Sequence, residues 1–276
     1  MSGLLFNGAF HMLRRHLIVA AVAAPLVLLN GMHAHAQVID LNDAINKAGR
    51  QRMLSQRMGK AWLALVHGIE KTSAQQVLDK SMALFDRQLV ELKAFAPNPE
   101  IQRTYSQLET AWSDYKLALV GKTPDKSRAA ALLQQDALVL ALAHQGTMQY
   151  QAVLAKPVGK LVNLAGRQRM LSQRMAKFYL SARLQVDTAT ANVEIGKART
   201  EFISAMEILR NAPEATQRIK DELQLADGQW LFLDTALPKI QGSQSGNKPL
   251  SDVFVTSENL LSVMDNVTGL YAALKT

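Results

Sequence analysis

An all-α fold, two tandem antiparallel four-helix bundles after an N-terminal signal segment, is predicted by three features of the 276-residue sequence. Residues 48–58 read AGRQRMLSQRM and residues 165–175 read AGRQRMLSQRM again, so the chain repeats one unit. Apolar residues recur at spacings of three and four, as in Val77, Leu78, Met82, Phe85, Leu89 and Leu92, and strand-like alternation is missing. Glycine (15) and proline (8) are sparse while alanine, leucine and glutamine dominate, a composition that favours helix.

The first 36 residues read as an export signal. Arg14 and Arg15 form its basic region, Leu17 to Leu29 its apolar stretch, and Ala34-His35-Ala36 supplies small residues for a cut before Gln37. That stretch is shorter than the ~20 residues a membrane-spanning helix needs. The predicted location is therefore the periplasm, with an uncleaved segment anchored in the inner membrane as the alternative. The residues before Met12 add nothing to the signal, which makes Met12 a second candidate start. Cysteine is absent, excluding disulfides, thiol catalysis and a lipid-bearing cysteine. Without residues 1–36 the chain carries 29 basic against 23 acidic residues. This moderate excess suits small anions or acidic surfaces, and an exported chain is not expected to bind nucleic acid.

Beyond the signal, residues 37–156 form the first module and 157–276 the second. Asn46 matches Asn163 and Lys60 matches Lys177, and the weaker landmarks pair Phe85 with Phe202, Leu92 with Leu209, Trp112 with Trp230 and Tyr150 with Tyr271. Breakers predict helices over 41–70, 74–95, 99–119 and 126–155, separated by Thr72-Ser73, Pro97-Asn98-Pro99 and Gly121 to Pro124. In the second module they predict 158–186, 191–210, 214–236 and 250–274, with a long loop from Pro238 to Pro249. Pro157 and Gly159 mark the junction as a boundary or a kink. Short loops between long helices suit an up-down-up-down bundle.

Packing alone tolerates apolar exchange, so eleven identical residues in otherwise diverged copies point to a specific constraint. On the first helix Ala48, Ser55, Trp62 and Val66 share one side, predicted to face the bundle's own core. Gly49, Arg52 and Gln56 share a neighbouring stripe with Ile45 and Leu63, and Arg50 and Arg57 lie on a third face. A mid-helix glycine costs roughly 1 kcal/mol relative to alanine; its recurrence at Gly49 and Gly166 suggests that a backbone or ligand comes close. Neither 44–69 nor 158–186 contains Asp or Glu, so local ion pairing cannot account for the arginines, although other helices can supply partners.

AGRQRMLSQRM with its upstream asparagine resembles the signature of the NarX-like N-terminal domain family, also described as the type IV pilus methyl-accepting chemotaxis transducer N-terminal, or PilJ-like, domain. It is similar to the P-box of periplasmic nitrate/nitrite sensors. The resemblance implies four-helix bundles whose first helices pair about a two-fold axis with an anion, nitrate or nitrite, between their arginines. Matched by motif position, the glycines are Gly49 and Gly166 and the anion-binding arginines Arg52 and Arg169. Met53 and Met170 are the adjacent methionines, and Arg57 and Arg174 the second arginines. Arg50, Gln56, Arg167 and Gln173 complete the candidate set as neighbours. Related kinases and chemoreceptors continue through a membrane helix into signalling domains, whereas this sequence stops at Thr276. It is thus expected to report through a membrane sensor, transporter or pilus-associated protein, or simply to bind and carry.

Two guanidinium groups ~5 Å apart at an effective dielectric near 20 repel by roughly 3 kcal/mol. A planar oxyanion between them cancels that repulsion and accepts charge-assisted hydrogen bonds of about 1.5–3 kcal/mol each. The expected geometry is an intrachain pseudo-dimer with Arg52 facing Arg169; a homodimer through each copy is the rival. Three readings fit the motif: a small-anion site, a docking surface for another protein, and a structural role. No metal, cofactor or catalytic constellation is indicated, so the chain is not expected to be an enzyme. His67 and His144 stand alone, the tryptophans and Met58 and Met175 read as packing, and the carboxylates read as single residues on polar faces.

Overall fold

The structure is a computed structural model and describes residues 37–237 and 246–274. The predicted signal and its cleavage site lie outside the described residues, as does most of the loop expected before Pro249. Eight α-helices follow in order among the described residues: α1 (Leu41–His67), α2 (Lys71–Phe95), α3 (Pro99–Val120), α4 (Ala129–Leu154), α5 (Pro157–Arg183), α6 (Thr188–Asn211), α7 (Gln217–Ala236) and α8 (Lys248–Ala272). The all-α class and the four-plus-four order are as the sequence predicts.

Local chemistry sets the helix ends. Asp40 caps α1 by accepting from the Asp43 N–H at 2.8 Å. Asn98 caps α3 through the Ile101 N–H at 2.9 Å with Pro99 in the first turn, and Thr216 caps α7 through the Ile219 N–H. The first break falls at Gly68–Glu70, not at Thr72-Ser73, because Gly68 takes the left-handed conformation (φ 72°) and turns its N–H back onto the Leu65 carbonyl. Thr72 and Ser73 instead enter the first turn of α2. Likewise α5 ends at Arg183, since Gln185 and Asp187 both adopt positive φ, and Asp187 caps α6. The module junction is a true break, not a kink: Ala155 has φ 52° and Pro157 opens α5.

The most extensive packing in the molecule joins α1 to α5. Gly49 lies against Gly166, Gly59 against Lys177, and His67 Nε2 meets the Leu180 carbonyl at 2.9 Å, so the two helices run in the same direction and in repeat register. On one side α1 packs against α2 and α4, with α3 closing the ring on α4; on the other α5 packs against α6 and α8, with α7 on α8. The described residues 37–237 and 246–274 consequently form one unit and not two separable bundles. The motif helices have no broad solvent face. Ala48, Ser55 and Trp62 are fully buried as expected, and so are Gln51, Arg52 and Gln56 on other faces.

Ion pairs cross between the modules as well. Lys177 of α5 pairs with Asp136 of α4, both fully buried, while Lys60 of α1 reaches Ser257 Oγ at 2.8 Å and Glu258 at 2.6 Å on α8. Burial lowers the Lys60 pKa to about 8 against the pull of Glu258. Burial also opposes the ionised form of Glu258, but Lys60 and Arg57 outweigh it and hold that carboxyl at about 2. A buried pair that loses one partner leaves an uncompensated charge. Asp136→Ala is therefore expected to lower the urea-denaturation free energy by about 3–5 kcal/mol. The double variant Asp136→Leu/Lys177→Met should regain most of that loss. Equal instability of single and double variants would show that this pair does not tie the modules.

Candidate functional site

The two copies of the motif meet at the α1–α5 crossing, where backbone approaches backbone. A Cβ built on Gly49 would lie 3.9 Å from the Gly166 Cα and 3.1 Å from Arg52 Nη2; one built on Gly166 would lie 3.1 Å from Arg169 Nη2. These glycines make room for the two guanidinium groups as well as for the opposing helix. Each arginine then reaches across the crossing in the same way. Arg52 Nη2 donates to the Asn163 side chain at 2.7 Å and to its carbonyl at 3.3 Å, and Arg169 Nη2 donates to the Asn46 carbonyl at 3.0 Å. The intrachain pairing expected from the repeat is thus the arrangement found, and the upstream asparagines that match between copies are the arginines' partners.

At the other end of each guanidinium the symmetry breaks. Arg169 Nη1 donates to Asp265 on α8, whereas Arg52 Nη1 faces His144 Nδ1 on α4 at 3.2 Å. His144 and Asp265 occupy equivalent positions, each six residues before the matched tyrosines Tyr150 and Tyr271. Asp265 also accepts from Arg50 at 2.9 Å; although burial disfavours its ionised form, Arg169 and Arg50 hold its pKa at about 2. The remaining motif arginines find carboxylates too. Arg57 binds Glu258, Arg167 binds Glu201 with Nη2 to Oε2 at 2.9 Å, and Arg174 binds Glu194 at 2.5 Å. Among the described residues Arg52 alone of the six has no carboxylate within ion-pair distance.

Arg52 is thus a fully buried cation without a carboxylate partner, and its Nε, like that of Arg169, has no hydrogen-bond partner. Burial, then the neighbouring Arg167 and Arg169, bring its pKa down from 12.5 to about 9, still charged at neutral pH. Arg169 falls to about 10, through burial and Arg50, with Asp265 opposing the drop. Arg52 borders a cavity of about 430 Å³ between α4, α5 and α6, walled also by His144, Arg167, Met170, Arg174 and Lys197. Glu194 and Glu201 stand at this wall, each engaged by a motif arginine. Burial first, then Arg52 and Arg167, lowers the His144 pKa, so the ring is neutral at pH 7.

Among the other candidates, Met53 and Met170 are buried, Met170 also bordering the cavity. Gln56 Nε2 donates to Asp136 Oδ1 at 2.8 Å and Gln173 Nε2 to the Ser257 carbonyl at 2.8 Å, tying each motif helix to α4 or α8. The expectation that carboxylates sit singly on polar faces is overturned: Asp136 is fully buried and Glu258 bridges two cations, because the paired helices bring cations inside that must be matched there. His144, set aside as isolated, borders the cavity. Carrying the repeat register from Tyr150 and Tyr271 back to His144 and Asp265 is the signal by which it could have been found.

A family model described as the type IV pili methyl-accepting chemotaxis transducer N-terminal domain, PilJ, matches residues 36–145 and again 154–253. The chain belongs to the PilJ family. It carries two copies of this sensory domain, the second match beginning at residue 154 beside the break at Ala155. Comparison with curated proteins and with solved structures returns no match. Signalling through membrane-associated partners is the role of such domains in chemotaxis transducers. Among the described residues no helix is long and apolar enough to cross a membrane.

Two measurements check this geometry. Gly269→Ala, where an added Cβ meets nothing, should stabilise by up to about 1 kcal/mol. Gly49→Ala and Gly166→Ala should instead destabilise, since the guanidinium groups that must yield are anchored on the opposite helix. Thermal melts of the three variants read the contrast. The second concerns pH. With its folded-state pKa below the unfolded value of about 6.5, His144 takes up a proton more readily unfolded, so stability falls as pH drops through that value. His67, lowered chiefly by burial, adds to the same trend. His144→Gln should flatten the decline of melting temperature between neutral and mildly acidic pH; an unchanged slope would remove His144 as a source.

Proposed function

We propose that this chain is a periplasmic sensor-type protein that binds a small oxyanion, with nitrate or nitrite as the candidate ligand, at Arg52, and that it reports the binding to a membrane-associated partner. The observation that carries the proposal is the asymmetry of the arginine pair. Arg52 is a buried cation that has no carboxylate partner and borders a cavity, while Arg169 is neutralised by Asp265. A planar oxyanion at the cavity end would accept from Arg52 and offset its charge, which Glu201 at the wall compensates only in part. Arg167, Arg174 and Lys197 add positive potential at the wall. At about 430 Å³ the space exceeds a bare oxyanion, so the anion would arrive with water, each molecule taking roughly 30 Å³. The sequence leaves open one anion shared by Arg52 and Arg169 or two bound separately; this reading puts one site on the Arg52 side. It also extends the likeness to NarX-type sensors from motif to ligand.

Signalling would follow from position. Arg52 touches α4 through His144 and α5 through Asn163, so an anion competing for its guanidinium shifts the α1–α5 crossing that holds the modules together. The second reading is a ligand-free adaptor docking onto a pilus, chemoreceptor or transporter assembly. It draws on the Nη2 bonds to Asn163 and Asn46, which let the arginines tie the helices without any anion. Melting temperature in nitrate, nitrite, sulfate and chloride at matched ionic strength separates the two. A specific anion at a hundred times its Kd stabilises by about 2.7 kcal/mol. The expected result is a rise in nitrate or nitrite beyond that in chloride, abolished in Arg52→Lys, which keeps the charge but loses the planar fork, and retained in Arg169→Lys. Identical behaviour in every salt would remove the anion reading and leave the adaptor.

A further inference from the structure

The repeat gives the surroundings of Arg52 a twin. Helices α4, α5 and α6 around Arg52 correspond to α8, α1 and α2 around Arg169. The register of α4 on α8 is fixed by residues buried in both copies: Asp136 with Ser257, Val139 with Leu260, Ala143 with Met264 and Thr147 with Thr268. It pairs Ala137 with Glu258 and His144 with Asp265. In the twin, two carboxylates on α8 therefore stand where α4 has a methyl group and a neutral ring. Asp265 accepts from Arg169 and Arg50, and Glu258 from Arg57 and Lys60. Most cations around the cavity find carboxylates on other helices, Arg167 on Glu201, Arg174 on Glu194 and Lys177 on Asp136. One place is left over. The carboxylate that Arg169 receives from Asp265 has no counterpart at Arg52 among the described residues.

We propose that the cavity beside Arg52 binds an organic monocarboxylate, with its carboxylate on Arg52 as Asp265 is on Arg169 and an aliphatic body lying along α4. This rests on the reading of Arg52 as an anion site and names the class of anion that the cavity beyond it takes. The chain supplies the template itself. Asp265 engages Nη1 of Arg169, and Nη1 of Arg52 is the atom that faces His144 in its place. A carboxylate offers the same planar pair of oxygens as nitrite, so the guanidinium fork that suits one suits the other.

The walls set what the carboxylate is attached to. From His144 the cavity follows α4 back to Ala137, a run of roughly 10 Å along the helix. Along it Leu140 and Ala141 of α4, Met170 and Leu171 of α5 and Ala198 of α6 present hydrocarbon. The far end calls for no second acidic group, because Arg174 and Lys197 both lie on Glu194, at 2.5 and 3.4 Å. Among the residues that line the cavity none is Phe, Tyr or Trp, so the wall offers contact to an aliphatic chain and no stacking platform for an aromatic ring. A volume of about 430 Å³ falls within the roughly 300–1,000 Å³ of pockets that hold organic ligands, and a bare oxyanion would leave the hydrocarbon wall to water.

Calorimetric titration of the purified chain with acetate, butyrate, hexanoate and nitrate at matched ionic strength tests this. Each methylene placed against the wall tightens binding by roughly two- to fourfold, so Kd should fall stepwise from acetate to hexanoate. Arg52→Lys should lose the hexanoate response. His144→Asp, which gives α4 the carboxylate that α8 already has, should lose it too, by filling the place on Arg52 from within the chain. Ala141→Gln should flatten the dependence on chain length; Ala141 is exposed, so this variant alters the wall without touching the core. Equal Kd values for acetate and hexanoate, or hexanoate binding undiminished in both Arg52→Lys and His144→Asp, overturns the proposal. Binding of nitrate without any carboxylate also overturns it and leaves Arg52 a site for bare oxyanions. If no anion binds, this proposal and the anion reading of Arg52 fall together.

Discussion

Contact between α1 and α5 at Gly49 and Gly166 is the constraint on which the rest of the structure depends. Two helix backbones approach closely only where side chains are absent, and here the space beside the glycines holds two guanidinium groups. With both arginines reaching across the seam, the helices cannot slide or separate without exposing buried donors to an apolar interior. The parallel direction and shared register of the two modules follow from this crossing, as do the burial of the motif helices on nearly all sides and the cross-module pairs of Lys60 and Lys177.

A cation brought into such an interior must be matched, and the two modules solve the problem differently. Asp265 neutralises Arg169, whereas His144, kept neutral by burial and the neighbouring arginines, faces Arg52 and does not compensate its charge. Identical motifs thus end in unlike electrostatic environments. Arg169 is tied to Asp265, whereas Arg52 stands beside a cavity with no carboxylate in ion-pair distance. The second copy of a module is free to diverge wherever the first already secures the fold.

Much of this was legible in the sequence, for identifiable reasons. Helical periodicity at Val77 to Leu92, Asn98 before Pro99, and Pro157 at the junction act within a few residues of themselves, so they can be read locally. Helix ends differ from the prediction where a left-handed residue decides them, as at Gly68 and Gln185, because the prediction rests on Thr72-Ser73 as breakers and nothing beside Gln185 in sequence announces its positive φ. At the site, the motif arginines and glycines could be named from their repetition, but not their partners. His144 lies 92 residues from Arg52, Asp265 lies 96 from Arg169, and Glu258 lies 201 from Arg57.

The sequence by itself determined the all-helical class, the duplication, and the positions of greatest constraint, because an internal repeat records selection within a single chain. Tertiary structure decided which arginine meets a carboxylate and which does not, and that the modules fuse through their motif helices into one body. Those outcomes depend on which side chains from distant segments arrive at the same place. A charge's environment is set by everything within a few ångströms of it, and spacing along the chain carries no record of those neighbours.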